Sequence, residues 1–293
     1  MEQRALGRSG LVVSRLALGT MTWGGDTDED EAAMQLTAFV DAGGTLVDTA
    51  DVYVDGESER TLGRLLSDVV PREDVLVATK AGGRTRTGAM GRGSSRGHLL
   101  AALDASLDRL GLDHVDLWQL HAWDDHTPLD ETLAALDTAV SSGRARYVGV
   151  SNLTGWQTAQ AATHQRGWPG RAPIVSSQME YSLLQRGVER EVVPAVESLG
   201  IGLLPWSPLG RGLLTGKYRH TTPSDSRGAS PQWSGFVDDL RSKDADRVVE
   251  AVCTAAQLQV SLDAEEVSLP AAIRFALDEV SAPHTSYPDR RPG

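Results

Sequence analysis

The chain has 293 residues, with 28 basic and 40 acidic side chains for a net charge of −12, and 40% hydrophobic content. That balance is the wrong sign for a general nucleic-acid binder or for a protein drawn to anionic membranes, and no apolar stretch approaches the ~18 residues of a membrane span. No apolar segment of secretory type follows Met1-Glu2-Gln3-Arg4, and the one cysteine, Cys253, can form neither an internal disulfide nor a cysteine metal site, so a soluble, cytoplasmic, metal-free protein is expected.

Seven short apolar runs punctuate the chain at 16–19, 45–49, 75–79, 115–120, 147–150, 174–177 and 201–205. From the second onward they recur about every 30 residues, the length of a strand, a crossover helix and two turns. Being nearly continuous in apolar residues rather than alternating, they read as parallel strands covered on both faces. Helical patterns fill the intervals 28–43, 57–67, 154–167 and 189–200. Ser94 or Ser95 opens another, with Leu99, Leu103, Leu107 and Leu110 on one face and Gly111 at its end. Thr127 reads as an N-cap before Pro128, ahead of Leu129, Leu133, Leu136 and Val140. The acidic run 26–31 reads as carboxylates favoured by a helix dipole.

No Gly/Ser/Pro linker divides these units. Repeated βα units over most of the chain predict an α/β fold, a (β/α)8 TIM barrel. An open doubly wound sheet is the alternative, weakened by the absence of G-x-G-x-x-G after the first strand. An eighth strand is missing or degenerate: after a helix at 268–279 the tail carries Pro283, Pro288 and Pro292, which suit no central strand.

In such a barrel the site forms at the C-terminal ends of the strands. The polar residues there are Asp48 and Tyr53, Lys80, His121, Ser151 and Asn152, Gln178, and Trp206 with Ser207. Each alone has an ordinary structural explanation; four titratable groups from three successive strand ends converging on one mouth do not. Lys80 adds weight, since only three of the 28 basic residues are lysines (Lys80, Lys217 and Lys243).

The motifs resemble the aldo-keto reductase superfamily, in the branch of bacterial enzymes and potassium-channel β subunits. Leu6-Gly7-Arg8-Ser9-Gly10-Leu11-Val12-Val13-Ser14 is similar to its N-terminal β-hairpin, which closes the barrel floor. Val47-Asp48-Thr49-Ala50-Asp51-Val52-Tyr53, with Gly56-Glu57-Ser58-Glu59 and Leu62-Gly63, resembles its signature. Ala78-Thr79-Lys80, Gln119-Leu120-His121, Gly149-Val150-Ser151-Asn152, Gln178-Met179-Glu180-Tyr181-Ser182 and Trp206-Ser207-Pro208-Leu209-Gly210 follow in order. The resemblance implies NAD(P)H-dependent reduction of aldehyde or ketone carbonyls, with a tetrad of Asp48, Tyr53, Lys80 and His121 and Tyr53 as general acid. It implies NADPH as cofactor, with NADH the alternative. Ser151, Asn152 and Gln178 would meet the carboxamide, and Trp206 would stack on the nicotinamide. Gly19, Thr20 and Met21 match the family's first βα loop. Ser207, Pro208, Leu209 and Gly210 would lie along the pyrophosphate, with Lys217 and Arg227 near phosphates. The alternatives are a non-catalytic cofactor-sensing or partner-binding protein on the same fold and an impaired, shortened product.

The same resemblance makes residues 1–280 a single barrel domain and 281–293 an irregular tail of no assignable function. The family's eighth strand and the segment that grips the adenosine are not matched, so the chain reads as C-terminally truncated. Weaker cofactor affinity and self-association through an open barrel edge are the expected consequences. The substrate loops at 23–26, 82–93 and 219–236 define no substrate beyond a small carbonyl compound.

Overall fold

The computed structural model describes residues 1–242, 244–249 and 271–282, and in it all seven apolar runs are strands of one parallel sheet. An antiparallel hairpin comes first, β1 (Gln3–Ala5) and β2 (Val12–Ser14), with Arg4 opposite Val13. The sheet follows in strictly sequential order: β3 (Ala17–Gly19), β4 (Leu46–Asp48), β5 (Leu76–Ala81), β6 (Val115–Leu120), β7 (Ala145–Ser151), β8 (Ile174–Glu180) and β9 (Gly202–Trp206). Among the described residues no eighth strand joins it, consistent with a (β/α)8 barrel whose last strand is missing or degenerate. Lys243, Cys253, Pro283, Pro288 and most of the 281–293 tail lie outside the described residues. No described helix is long and apolar enough to cross a membrane.

The crossover helices are α1 (Glu29–Asp41), α2 (Glu57–Asp68), α3 (Arg96–Leu110), α4 (Leu129–Ser141), α5 (Gly155–Arg166) and α6 (Val192–Leu199). Their ends follow the capping rules. Asp28 caps α1 and leaves Glu29, Asp30 and Glu31 in its first turn. Ser95 caps α3, whose four predicted leucines are all buried and whose C-cap Gly111 takes φ +66°. Thr154 and Gln157 form a reciprocal capping box on α5. One cap differs from expectation: Pro128, not Thr127, occupies the N-cap of α4, because the Thr127 hydroxyl donates to Asp124 at 2.7 Å instead.

The chain divides into two compact units, residues 1–178 with 192–204, and residues 179–191 with the described residues from 205 onward. In the first, the hairpin covers the bottom of the sheet: Leu6, Leu11 and Val13 pack in one buried cluster with Leu46, Ala78, Leu117 and Val175. Burial of seven such side chains is what makes a hairpin of three-residue strands hold there. In the second, Leu213, Leu214, Val237, Val248 and Val249 form a separate cluster against Leu183, Leu184 and Leu277. Arg186 ties that unit together, donating to both oxygens of Glu189 at 2.7 and 2.8 Å and to Ser281 at 2.9 Å.

Gly63 shows how closely α2 and α3 approach. A β-carbon there would lie 2.7 Å from the Leu110 carbonyl oxygen, backbone that cannot move aside cheaply. Gly63→Val should therefore lower the free energy of unfolding by about 1–3 kcal/mol through overpacking. The expected reading is a lower urea midpoint with unchanged slope; an unchanged midpoint would refute the tight contact.

Candidate active site

Strand register assembles the polar cluster. Asp48 pairs with Ala78 across β4 and β5, and Lys80 stands two residues further along β5, on the same face as Ala78. Ala78 belongs to the buried cluster above the hairpin, so this is the inner face of the sheet. Beyond the strand ends the ladder continues into the loops: the Asp51 amide donates to the Lys80 carbonyl at 3.1 Å and the His121 amide to the Ala81 carbonyl at 2.9 Å. Each loop is thereby fixed to its neighbour before any side chain contributes.

Lys80 is the centre. It is 1% exposed, and its ammonium donates to Asp48 Oδ2 at 2.7 Å, the Thr49 carbonyl at 2.8 Å and the Tyr53 hydroxyl at 3.2 Å. Three donors meet three acceptors, which is how a buried cation is tolerated. The other Asp48 oxygen accepts from Gln178 Nε2 at 2.9 Å. The His121 ring stands edge-on to Tyr53, with centroids 6.2 Å apart, and its Nδ1 is buried without a partner. Asp48, Tyr53, Lys80, His121 and Gln178 thus form one connected group.

Charge balance within the group follows from burial and distance. Burial works against the Lys80 ammonium, but the Asp48 carboxylate and the Tyr53 oxygen outweigh it and hold its pKa above the usual lysine value. Burial pushes the His121 imidazole down to about 4, helped by the Lys80 charge, so the ring is neutral at neutral pH. Tyr53 departs from the simple expectation that a neighbouring ammonium lowers a phenol. Lys80 does favour phenolate, yet burial outweighs it and the net shift is upward. The resting state is therefore a neutral phenol hydrogen-bonded to a lysine cation.

Ser151, Asn152 and Gln178 close the group on the β7–β8 side. Ser151 Oγ and the Asn152 amide both donate to the Gln178 carbonyl at 3.0 Å, and Asn152 Nδ2 donates to the His121 carbonyl at 3.0 Å. Of the first loop, Gly19 ends β3 and Met21 is half-buried. Thr20 is fully buried, its hydroxyl 2.7 Å from Ser58 Oγ, so its side chain serves the packing of that loop. Trp23 in the same loop is also fully buried, donating to Gln35 at 2.9 Å.

The remaining predicted residues belong to the second unit. Trp206 lies 6.3 Å from Phe236 in near-parallel stacking, and the Arg211 guanidinium sits 3.9 Å from the Phe236 centroid. Arg211, a residue the sequence did not single out, also donates to both oxygens of Glu180, at 2.7 and 2.8 Å. Ser207, Gly210, Arg211 and Gly212 all take positive φ, between +51° and +94°, while Pro208 and Leu209 are exposed. Lys217 is exposed, with Cε 3.2 Å from where a Gly212 β-carbon would be, so it runs beside this turn. Arg227 is half-buried in the loop that Tyr218 closes by accepting from the Gly228 amide at 3.1 Å.

Strain marks the same places. Among the described residues, the non-glycine ones with positive φ are Val54, Asp55, Asn152, Ser207 and Arg211. Val54 and Asp55 directly follow Tyr53, Asn152 follows Ser151, and Ser207 follows Trp206. For Val54 at φ +48° this is a genuine outlier, of a kind that collects at functional sites and costs about 1–3 kcal/mol.

Sequence reasoning passed over a second buried cluster. Glu59 is fully buried and accepts from Thr79 Oγ1 at 2.6 Å and from Arg109 Nε at 2.7 Å. Arg109 reaches Glu59 past Gly56, where a β-carbon would lie 2.7 Å from Arg109 Cδ. Asp51, 3% exposed, completes the group. The only hint in the sequence was the place of Asp51 and Glu59 within the signature motif.

The chain matches the model of the aldo/keto reductase family over residues 15–283. Among characterised and catalogued proteins, it is 42% identical over 228 residues to the uncharacterized oxidoreductase YrpG of Bacillus subtilis (strain 168), covering 74% of this chain and 69% of that protein. It is 38% identical over 234 residues to the L-glyceraldehyde 3-phosphate reductase of Escherichia coli (strain K12), covering 78% and 67%. A probable voltage-gated potassium channel subunit beta of Oryza sativa subsp. japonica is 38% identical over 269 residues, covering 89% and 81%. With that coverage, and with the sequential parallel sheet and its N-terminal hairpin, the chain belongs to the aldo/keto reductase family.

Proposed function

We propose that this protein is a cytoplasmic NADPH-dependent reductase of aldehyde or ketone carbonyls. The observation that carries the reading is Lys80, buried and bonded at once to Asp48 and to the Tyr53 hydroxyl, with a neutral His121 beside them. The turn at 207–212 supports a dinucleotide. Its left-handed residues fold the backbone into a tight turn, the Gly210 and Gly212 amides bonding to the Ser207 and Leu209 carbonyls, and Lys217 alongside offers a cation for a phosphate. Ser207, Pro208, Leu209 and Gly210 would hold the pyrophosphate and Lys217 and Arg227 the other phosphates, with Trp206 offering a ring face to the nicotinamide. Ser151, Asn152 and Gln178 would meet the carboxamide, beside the loop of Gly19, Thr20 and Met21. When bound, the cofactor supplies a hydride to the carbonyl carbon.

The protein's own part is the proton. Tyr53 holds it on the phenol oxygen and releases it to the carbonyl oxygen as negative charge develops there. Lys80 stabilises the phenolate left behind, and Asp48, fixed by Gln178, keeps the ammonium in line. His121, neutral, donates a hydrogen bond that orients the carbonyl. Because burial keeps Tyr53 a weak acid at rest, release waits for the transition state, where the developing alkoxide is the stronger base.

NADPH deuterated at C4 should pass its label to the carbonyl carbon when the protein is offered a panel of aldehydes and ketones, with mass spectrometry of the alcohol as the readout. Tight NADPH binding without transfer to any carbonyl would sink the reductase reading. It would favour the partner-binding alternative that the similarity to a channel subunit suggests.

A further inference from the structure

Behind the Tyr53–Lys80 pair lies a carboxyl group that the proposed reaction does not use. Asp51 sits between the two halves of the site in sequence, three residues after Asp48 and two before Tyr53, with its amide bonded to the Lys80 carbonyl at 3.1 Å. Its side chain is buried, and neither carboxyl oxygen makes a hydrogen bond of ordinary geometry, the adjacent Val52 amide giving weak support. The charged groups around it are Glu59 from α2, Arg109 from α3 and Lys80 from β5, with Tyr53 and Asp48 on its own segment.

Neither nearby cation donates a hydrogen bond to it. Arg109 is bonded to Glu59 through Nε and Nη2, both at 2.7 Å, and to Ser106. Lys80 spends its three protons on Asp48, Thr49 and Tyr53. Two buried carboxyl groups therefore lie near one guanidinium, and Glu59 has both of its oxygens bonded while Asp51 has neither. Under those conditions the less satisfied partner takes up a proton.

Resting on the reductase reading above, we propose that Asp51 is a positioning residue for the Tyr53 proton: neutral, it leaves the phenol free to donate, and ionised, it weakens Tyr53 as an acid. Burial and the Glu59 charge together push the Asp51 carboxyl up to about 7. Its negative charge is one of the groups that hold the Tyr53 phenol up. The site thus carries its own brake on the alkaline side of neutrality.

Two measurements on the whole chain test this. Carbon NMR of protein labelled at aspartate carboxyl carbons, with Asp51 assigned by its absence in D51N, should show one carboxyl titrating near neutrality rather than in the ordinary carboxylate range. In single-turnover reduction with NADPH, the parent rate should fall by roughly threefold or more from about pH 6 to about pH 9 as Asp51 ionises and Tyr53 becomes a weaker acid. In D51N the ratio of those two rates should approach one, whereas a merely structural defect would lower both equally. An Asp51 carbon that titrates like a surface carboxylate, or an alkaline fall unchanged in D51N, overturns the proposal. If the protein reduces no carbonyl at all, the reductase reading fails alone. The Tyr53 phenol titration, taken as the ultraviolet difference from Tyr53→Phe, then decides for Asp51: it should move to lower pH in D51N, and an unmoved midpoint refutes the coupling.

Discussion

Tyr53→Phe should lower carbonyl reduction by about 10²–10⁴-fold, the usual share of general acid catalysis, while leaving NADPH affinity within about a few-fold of the parent. Phenylalanine keeps the ring that stands edge-on to His121 and removes only the oxygen that accepts from Lys80 at 3.2 Å. Lys80 retains Asp48 and the Thr49 carbonyl, so the ion pair and the fold around it survive. The loss therefore belongs to the proton and not to the architecture. Stopped-flow oxidation of NADPH, paired with quenching of protein fluorescence on cofactor binding, separates the two effects. A variant that keeps most of the parent's turnover would remove Tyr53 from the acid's role.

Lys80→Arg should be nearly as damaging as Lys80→Met. The pocket is sized for a point charge: at 1% exposure, one ammonium satisfies acceptors at 2.7, 2.8 and 3.2 Å in three directions. A guanidinium keeps the charge but presents its donors in a plane, and cannot reach a carboxylate, a carbonyl and a phenol arranged around a point. Both variants are expected to lose at least about 10²-fold in rate. Lys80→Met should also lower stability by up to about 3–5 kcal/mol, since Asp48 is left without its cation. Near-normal turnover in Lys80→Arg would show that charge alone matters there.

The strands and helices were legible because each carries its own signal. Continuous apolar runs mark parallel strands covered on both faces, and Asp28, Ser95, Thr154 and Gly111 mark helix ends that local hydrogen bonding dictates. The polar strand-end residues were legible for a related reason. A lysine or histidine directly after an apolar run has an ordinary explanation when taken singly, and Lys80 and His121 stand out because they recur with Asp48 and Tyr53 at successive strand ends.

The order of the strands, the helix ends and the residue types gathered at one end of the sheet were thus readable from the chain alone. Tertiary structure decided the rest, because it turned on distances between residues far apart in the chain. Thr127 reads as a cap until Asp124 takes its hydroxyl. Glu59 and Arg109 lie 50 residues apart, and only the packing of α2 on α3, close at Gly63, with Arg109 passing Gly56, brings them together. Asp51 has no signal of its own within the signature motif, and its raised carboxyl comes from burial beside Glu59, a contact only the tertiary structure makes. Local pattern reports which face a residue prefers; how many charges share one buried pocket depends on tertiary contacts, and that number sets the chemistry of a buried acid.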